Sequence, residues 1–305
     1  MRKRSVHVHL LLLAVLSLLL AGCALGGDLV PTATDGEPAD KEPITSEDER
    51  DFQGMITTFF NLSGGESTLV RFPDGKKLLL DTGGVDDVQQ LLKLLQERHV
   101  TKLDYVLLSN DLPAYAGGYP FLAKNLQIDT VLLPKPIAYT IRRAVPIDEE
   151  KQVKLLSAGE ELPLAENISL KVLHPAEQLF LSPQDNSLVV QVRQGELRFL
   201  YTSGIGVKAE EFMLKQHGEQ LRSQVLKVAD QGSNQASSPP FVSRVDPQVA
   251  VILTGNSRDE LTSGQAEIVE RLDESWAETY ITGQDGTITI LSNGHDYKVL
   301  KDKKQ

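Results

Sequence analysis

Cysteine is nearly absent: the 305 residues contain one, Cys23. A single thiol excludes an intramolecular disulfide and a zinc site built on cysteine, so packing alone must hold the core. Histidine is scarce too, six in all. Beyond residue 22 only His99, His174, His217 and His295 remain, far apart in sequence, and they read as surface or packing residues. Basic charge is short, with Lys and Arg totalling 31 against 42 Asp and Glu, a net charge of −11 at pH 7. A chain this acidic is repelled by a phosphate backbone, which disfavours a broad nucleic-acid surface and leaves room only for a local patch. Long apolar runs are missing apart from Leu10 to Leu20, which is too short to span a bilayer comfortably.

What is present begins at that run. Arg2, Lys3 and Arg4 precede it, so residues 1–22 read as an export signal. The tetrapeptide "LAGC", Leu20 to Cys23, resembles the lipobox of bacterial lipoproteins, whose cysteine is lipidated and becomes the first residue of the mature chain. The resemblance implies an anchor at Cys23, a membrane as partner and an extracytoplasmic location. Two or more acyl chains hold stably, since each buried methylene contributes about 0.8 kcal/mol. After Cys23 the chain is rich in Asp, Glu, Pro, Thr and Gly as far as residue 52, with Lys41 and Arg50 its only bases. Such a stretch buries too little apolar surface to offset its ordering entropy, so residues 23–52 read as the lipidated cysteine and an acidic flexible tether. Residues 53–305 remain as the globular domain.

From Met55 short apolar runs alternate with amphipathic segments. "MITTFFNL" and "STLVRF" read as strands, and "PDGK" is a turn from which "KKLLLDTGG" returns as the next strand. Val88, Leu91, Leu92, Leu94 and Leu95 fall at helical spacing. "LDYVLLS" is a nearly continuous apolar run, as in a strand buried on both faces. Further strands are predicted at "IDTVLLP", "QVKLL", "ISLKVLH", "SLVVQVR", "LRFLYTS", "SQVLKVA", "QVAVILT", "ETYIT" and "GTITILS". Helices are predicted in "YPFLAKN", near Ala209 to Gln216, and in "GQAEIVERL". The tail "YKVLKDKK" reads as a solvated basic end. Strands with helices interspersed in both halves predict an α/β fold of two packed sheets covered by helices, in four αββα layers.

The order of landmarks, "FPDGKKLLLDTGG", "LDYVLLS" with Gly117-Gly118 after it, "VLHP", "DNSLVV", "LRFLYTS", "VLKVADQGS" and "GQAEIVERL", resembles the metallo-β-lactamase-like soluble domain of bacterial DNA-uptake competence channels, from about Met55 to Leu300. That family uses zinc or manganese ions, held by clustered His and Asp, to turn bound water into hydroxide near neutral pH. The resemblance places the first ligand cluster at Asn110, Leu112, Ala114 and Tyr115. It places the bridging carboxylate at Gly204, after Ser203, the His-His pair at Asp230 and Gln231, and the last histidine near Ser263. None of these is the family's ligand, so no metal cofactor is expected and the site reads as repacked. An alternative oxygen-ligand site for a hard cation would use Asp81, Asp111 and Asp230, although Asp81 in "LLLDTGG" also fits a carboxylate that binds amides in a tight turn.

These readings predict a lipid-anchored extracytoplasmic protein with a catalytically degenerate metallo-β-lactamase fold. It would serve as a binding or scaffold module for a protein or small-molecule partner, through a cleft rimmed by Asn110, Tyr115, Asp230 and Gln231. The rivals are a metal-dependent hydrolase, nuclease-like or phosphodiesterase-like, with a nonstandard site, and an accessory factor in DNA uptake.

Overall fold

The computed structural model describes residues 52–148 and 150–302. The export signal, Cys23 and nearly all of the acidic segment lie outside the described residues. Every element below belongs to one compact unit, Lys41–Gln305.

Its elements in chain order are β1 (Met55–Phe59), β2 (Thr68–Arg71), β3 (Lys77–Leu80), α1 (Val88–Glu97), β4 (Lys102–Leu107), α2 (Pro113–Ala116), α3 (Tyr119–Asn125), β5 (Gln127–Pro134), α4 (Ala138–Ala144) and β6 (Gln152–Leu156). Then come β7 (Glu161–Ala165), β8 (Ile168–His174), β9 (Val189–Gln194), β10 (Leu197–Tyr201), α5 (Val207–His217), β11 (Val225–Lys227), α6 (Pro239–Val245), β12 (Val249–Ile252), α7 (Ser263–Glu274), β13 (Glu278–Ile281), α8 (Thr282–Asp285), β14 (Ile288–Ser292) and β15 (Tyr297–Lys301).

The strands form two sheets, one in the order β15-β14-β1-β2-β3-β4-β5-β6, the other β13-β12-β11-β10-β9-β8-β7. Alternation along each strand sends one side-chain set between the sheets and the other under the helices. In β3, Leu78 and Leu80 join the inter-sheet core with Phe59, Phe199, Tyr201 and Val251. Leu79 between them packs instead with Leu91, Leu92 and Leu95 of α1. The second sheet turns Leu200, Leu226 and Ile252 outward to Met213, Phe241 and Ile268 on α5, α6 and α7. The layers are therefore helix, sheet, sheet, helix, as the sequence predicts.

The runs β3-β4-β5-β6 and β10-β11-β12-β13 are parallel within each run. Their carboxyl ends and the loops that leave them gather at one end of the sandwich, where ligands bind in open α/β sheets.

The basic tail departs from expectation. Tyr297 to Lys301 is a strand paired with β14, because Val299 and Leu300, between two lysines, are buried on its opposite faces. The helices α4 and α6 and strand β7 also went unanticipated. No helix among the described residues is long and apolar enough to cross a membrane.

Candidate functional site

The site grows from four strand ends and one turn. After β3, Asp81 takes a left-handed backbone, φ 59°, and its carboxylate meets the end of β4. There the Ser109 amide and hydroxyl each donate to it at 2.8 Å. Asp81 thus binds across to the neighbouring strand, whereas a carboxylate serving its own tight turn was one expectation. Burial pushes its pKa up to about 7, against the pull of the two Ser109 bonds. Ser109 also hydrogen-bonds the hydroxyl of Ser203, at the end of β10. Asn110 is fully buried; its amide donates to Ser187 at 2.9 Å and its oxygen accepts the Leu112 amide at 2.9 Å.

From β11, Lys227 reaches into the same space and forms a buried ion pair with Glu66, from the turn between β1 and β2. The ammonium also donates to the Ser203 carbonyl at 3.0 Å and lies 5.8 Å from the centre of the Tyr115 ring. The other Glu66 oxygen accepts the Gln231 amide at 2.9 Å. Burial drives the Lys227 pKa down to about 7, while Asp230 pulls it back up; contact with Glu66 likewise favours the charged form. Glu66, Asp81, Ser109, Tyr201, Ser203 and Lys227 line a cavity of about 20 Å³. That is room for about one water.

Tyr115 closes the site. It is 2 % exposed, and its hydroxyl donates to Asp230 at 3.3 Å. Its carbonyl accepts the amide and hydroxyl of Thr82, at 2.6 and 3.0 Å. Burial, followed by the charges of Asp230 and Asp81, raises the phenol well above its ordinary pKa. A Cβ placed on Gly204 would stand 2.8 Å from the Tyr115 hydroxyl and 3.0 Å from Cζ. The ring therefore occupies the space that a side chain at residue 204 would need.

These positions do not suit a zinc or manganese cage. Asn110 has both ends engaged, Leu112 and Ala114 offer no donor, Gly204 has no side chain, and Asp230 is held by Tyr115. Gln231 carries φ 54°, and its side-chain amide donates to the Gly64 carbonyl at 3.3 Å. Ser263 is an exposed residue at the start of α7. The residue of that helix reaching the site is Gln265, which donates to the Gln231 carbonyl at 2.9 Å and to Thr254 at 3.2 Å. Asp81, Asp111 and Asp230 are not gathered, for no cluster of three or more His, Cys, Asp or Glu suited to a metal occurs among the described residues.

One expectation is corrected. Asn110 and Tyr115 cannot rim a cleft, because both are buried; of the four named residues only Asp230 and Gln231 are half-buried. The buried charge pair, Glu66 with Lys227, has no counterpart among the expected site residues. Its signal was a lone lysine inside the apolar strand "SQVLKVA". His174 does behave as a packing residue. It is buried between Phe180 and Phe212, at ring distances of 5.9 and 6.0 Å, and burial lowers its pKa to about 4.

Two mixed sheets between helical layers, with the site at the strand ends between them, define the metallo-β-lactamase fold. The chain superimposes on the metallo-β-lactamase fold protein YhfI from Bacillus subtilis with a TM-score of 0.51 and 14% identity, covering 80% of this chain and 99% of that one. Zinc-bound PqqB from Methylobacterium extorquens gives 0.50 and 10%, covering 76% and 99%. At such identities the likeness establishes the fold alone. In sequence the chain is similar to competence protein ComA of Neisseria gonorrhoeae, 28% identical over 199 residues, 65% of this chain and 27% of that protein. It is similar also to ComE operon protein 3 of Bacillus subtilis, 21% identical over 257 residues, 75% and 32% respectively. The chain thus spans about a third or less of the length of these relatives. No family model matches it.

Proposed function

We propose that the protein is a lipid-anchored, extracytoplasmic binding or scaffold module whose metallo-β-lactamase fold does no metal-dependent hydrolysis. The observation that carries this reading is the seating of Tyr115 over Gly204. An aromatic ring fills the place of one ligand against a position that has no side chain, and a lysine–glutamate pair supplies the site's charge balance. Replacing polar ligands by a packed ring avoids leaving buried groups unpaired, at about 1–3 kcal/mol each. The partner-facing surface is the half-buried edge at Asp230 and Gln231, outside the ring.

The test is titration of the Lys41–Gln305 unit with zinc and manganese, followed by assay of phosphodiester hydrolysis, beside Asp230→Ala. No saturable binding and no turnover are expected. Near-stoichiometric metal and turnover, both lost in Asp230→Ala, would instead make the protein a hydrolase with a nonstandard oxygen-ligand site. Anchoring is read separately, as palmitate labelling of the full chain that Cys23→Ala abolishes.

A second reading is favoured by one of the relatives, which carries competence in its name. In it the protein assists DNA uptake at the envelope. The acidic net charge argues for contact with another protein rather than with DNA, so gene deletion should lower transformation while the purified unit leaves DNA unbound.

A further inference from the structure

The surface beyond β5 breaks the pattern of an acidic protein. Lys135, Arg142 and Arg143 are all exposed on α4 and the turn that leads into it, and none has an ion-pair partner among the described residues. Other cations of the unit are neutralised, as Arg222 is by Asp246 and Arg271 by Glu267. Tyr139, on the same helix, is 73% exposed, with the Arg143 guanidinium 5.9 Å from its ring centre.

Lys135 and Pro136 form one wall of a groove of about 490 Å³, and Pro175, Ala176 and Glu177 form another. The loop that begins at Pro175 is built to hold leucines in water. Phe180 is its root, with its ring 6.1 Å from Phe212 and its amide and carbonyl clamped by the Asn186 side chain at 2.7 and 3.0 Å. The residues on either side of this clamp are Leu179, 44% exposed, and Leu181, 105% exposed. The clamp that seats Phe180 also fixes two leucines outside the core, an exposed apolar pair suited to a surface role.

We propose that α4 and the Pro175–Pro183 loop form a docking face for an anionic membrane surface. The chemistry matches such a surface part by part. Exposed arginines and lysine attract acidic headgroups, at about 1 kcal/mol per cation near the membrane. Tyrosine favours the headgroup level, and exposed leucines enter the acyl boundary beneath. The leucines decide against a phosphate polymer, which would use the cations and the aromatic ring but gains nothing from aliphatic side chains. This face needs no lipid at Cys23, so it stands or falls independently of the anchor.

The test is vesicle flotation of the Lys41–Gln305 unit with phosphatidylcholine alone and with phosphatidylcholine containing phosphatidylglycerol, at low and high salt. Binding is expected only with phosphatidylglycerol, weakening as salt rises. Arg142→Gln with Arg143→Gln should lower the partition coefficient about 30-fold, and Leu181→Asp at least about tenfold. Because these side chains are exposed, the variants should keep the wild-type unfolding midpoint. Failure to bind anionic vesicles, equal binding to neutral ones, or full binding by the variants would overturn the proposal. So would tighter binding to single-stranded oligothymidylate that the arginine changes abolish and Leu181→Asp leaves intact.

Discussion

Gly204→Ala isolates the packing on which the proposed function rests. The added Cβ would lie 2.8 Å from the Tyr115 hydroxyl, 3.0 Å from Cζ and 3.3 Å from Cε2, too close to be accommodated without movement. Gly204 is not among the positive-φ residues, so alanine carries no backbone strain there and the effect is steric. The ring has little freedom to give way, since Thr82 holds its carbonyl, Asp230 holds its hydroxyl and the side chain is buried. Overpacking of this kind costs about 1–3 kcal/mol. For a unit of this size each kcal/mol lowers Tm by about 2–4 °C, so a loss of about 4–8 °C corresponds to 2 kcal/mol. The assay is urea unfolding of Lys41–Gln305 followed by circular dichroism, as a double-mutant cycle with Tyr115→Ala. That truncation should itself cost about 3–5 kcal/mol through the cavity it leaves. In its background Gly204→Ala should be nearly neutral, giving a coupling of about 1–3 kcal/mol. An equal cost in both backgrounds, or no cost in either, would refute the claim that the ring fills the place of a side chain at 204.

Two further outcomes follow from the buried charges. Glu66→Gln removes the carboxylate from the buried Lys227 ammonium and should cost about 3–5 kcal/mol, most of it recovered by Glu66→Gln with Lys227→Met; a single-variant urea midpoint within about 1 kcal/mol of wild type would contradict the pair's role. Asp81 has a folded-state pKa of about 7 against an ordinary 3.8, so the stability it contributes is fully present below pH 4 and is lost as pH rises through 7, on the order of 4 kcal/mol. The stability of Asp81→Asn relative to wild type should therefore rise between pH 4 and 8, and a difference that stays flat with pH would show that the carboxyl does not titrate in that window.

The fold was largely legible because its strands announce themselves locally. β3, β4, β5 and the β8–β10 set are runs of Leu, Val and Ile bounded by turns, and α1 shows its leucine stripe. Elements whose composition argues against their structure were missed. β15 sets Val299 and Leu300 between lysines, β7 carries Pro163, and α4 and α6 are short helices set by the sheet they cover rather than by their own periodicity. At the site, residue types were legible and burial was not. That Asn110 and Tyr115 lie inside depends on Ser187, Ser203, Gly204 and Asp230, which come from segments far along the chain, and no local pattern reports such contacts. Glu66 and Lys227 are separated by most of the domain, so their pairing exists only in three dimensions.

The two sheets are open, and each therefore ends in strands with unpaired backbone along one side. Such edges are templates for joining another chain. Here every edge carries a deterrent. β15 shows Lys298, β6 shows Lys154 and β13 shows Glu278, all exposed. β7 shows Glu161 and Pro163, with a register shift beside the proline, and proline has no amide to give to a neighbour. Extension of either sheet into a second molecule would press like charges together or break the ladder. The guarded edges thus let copies meet at high concentration without an open strand to start aggregation.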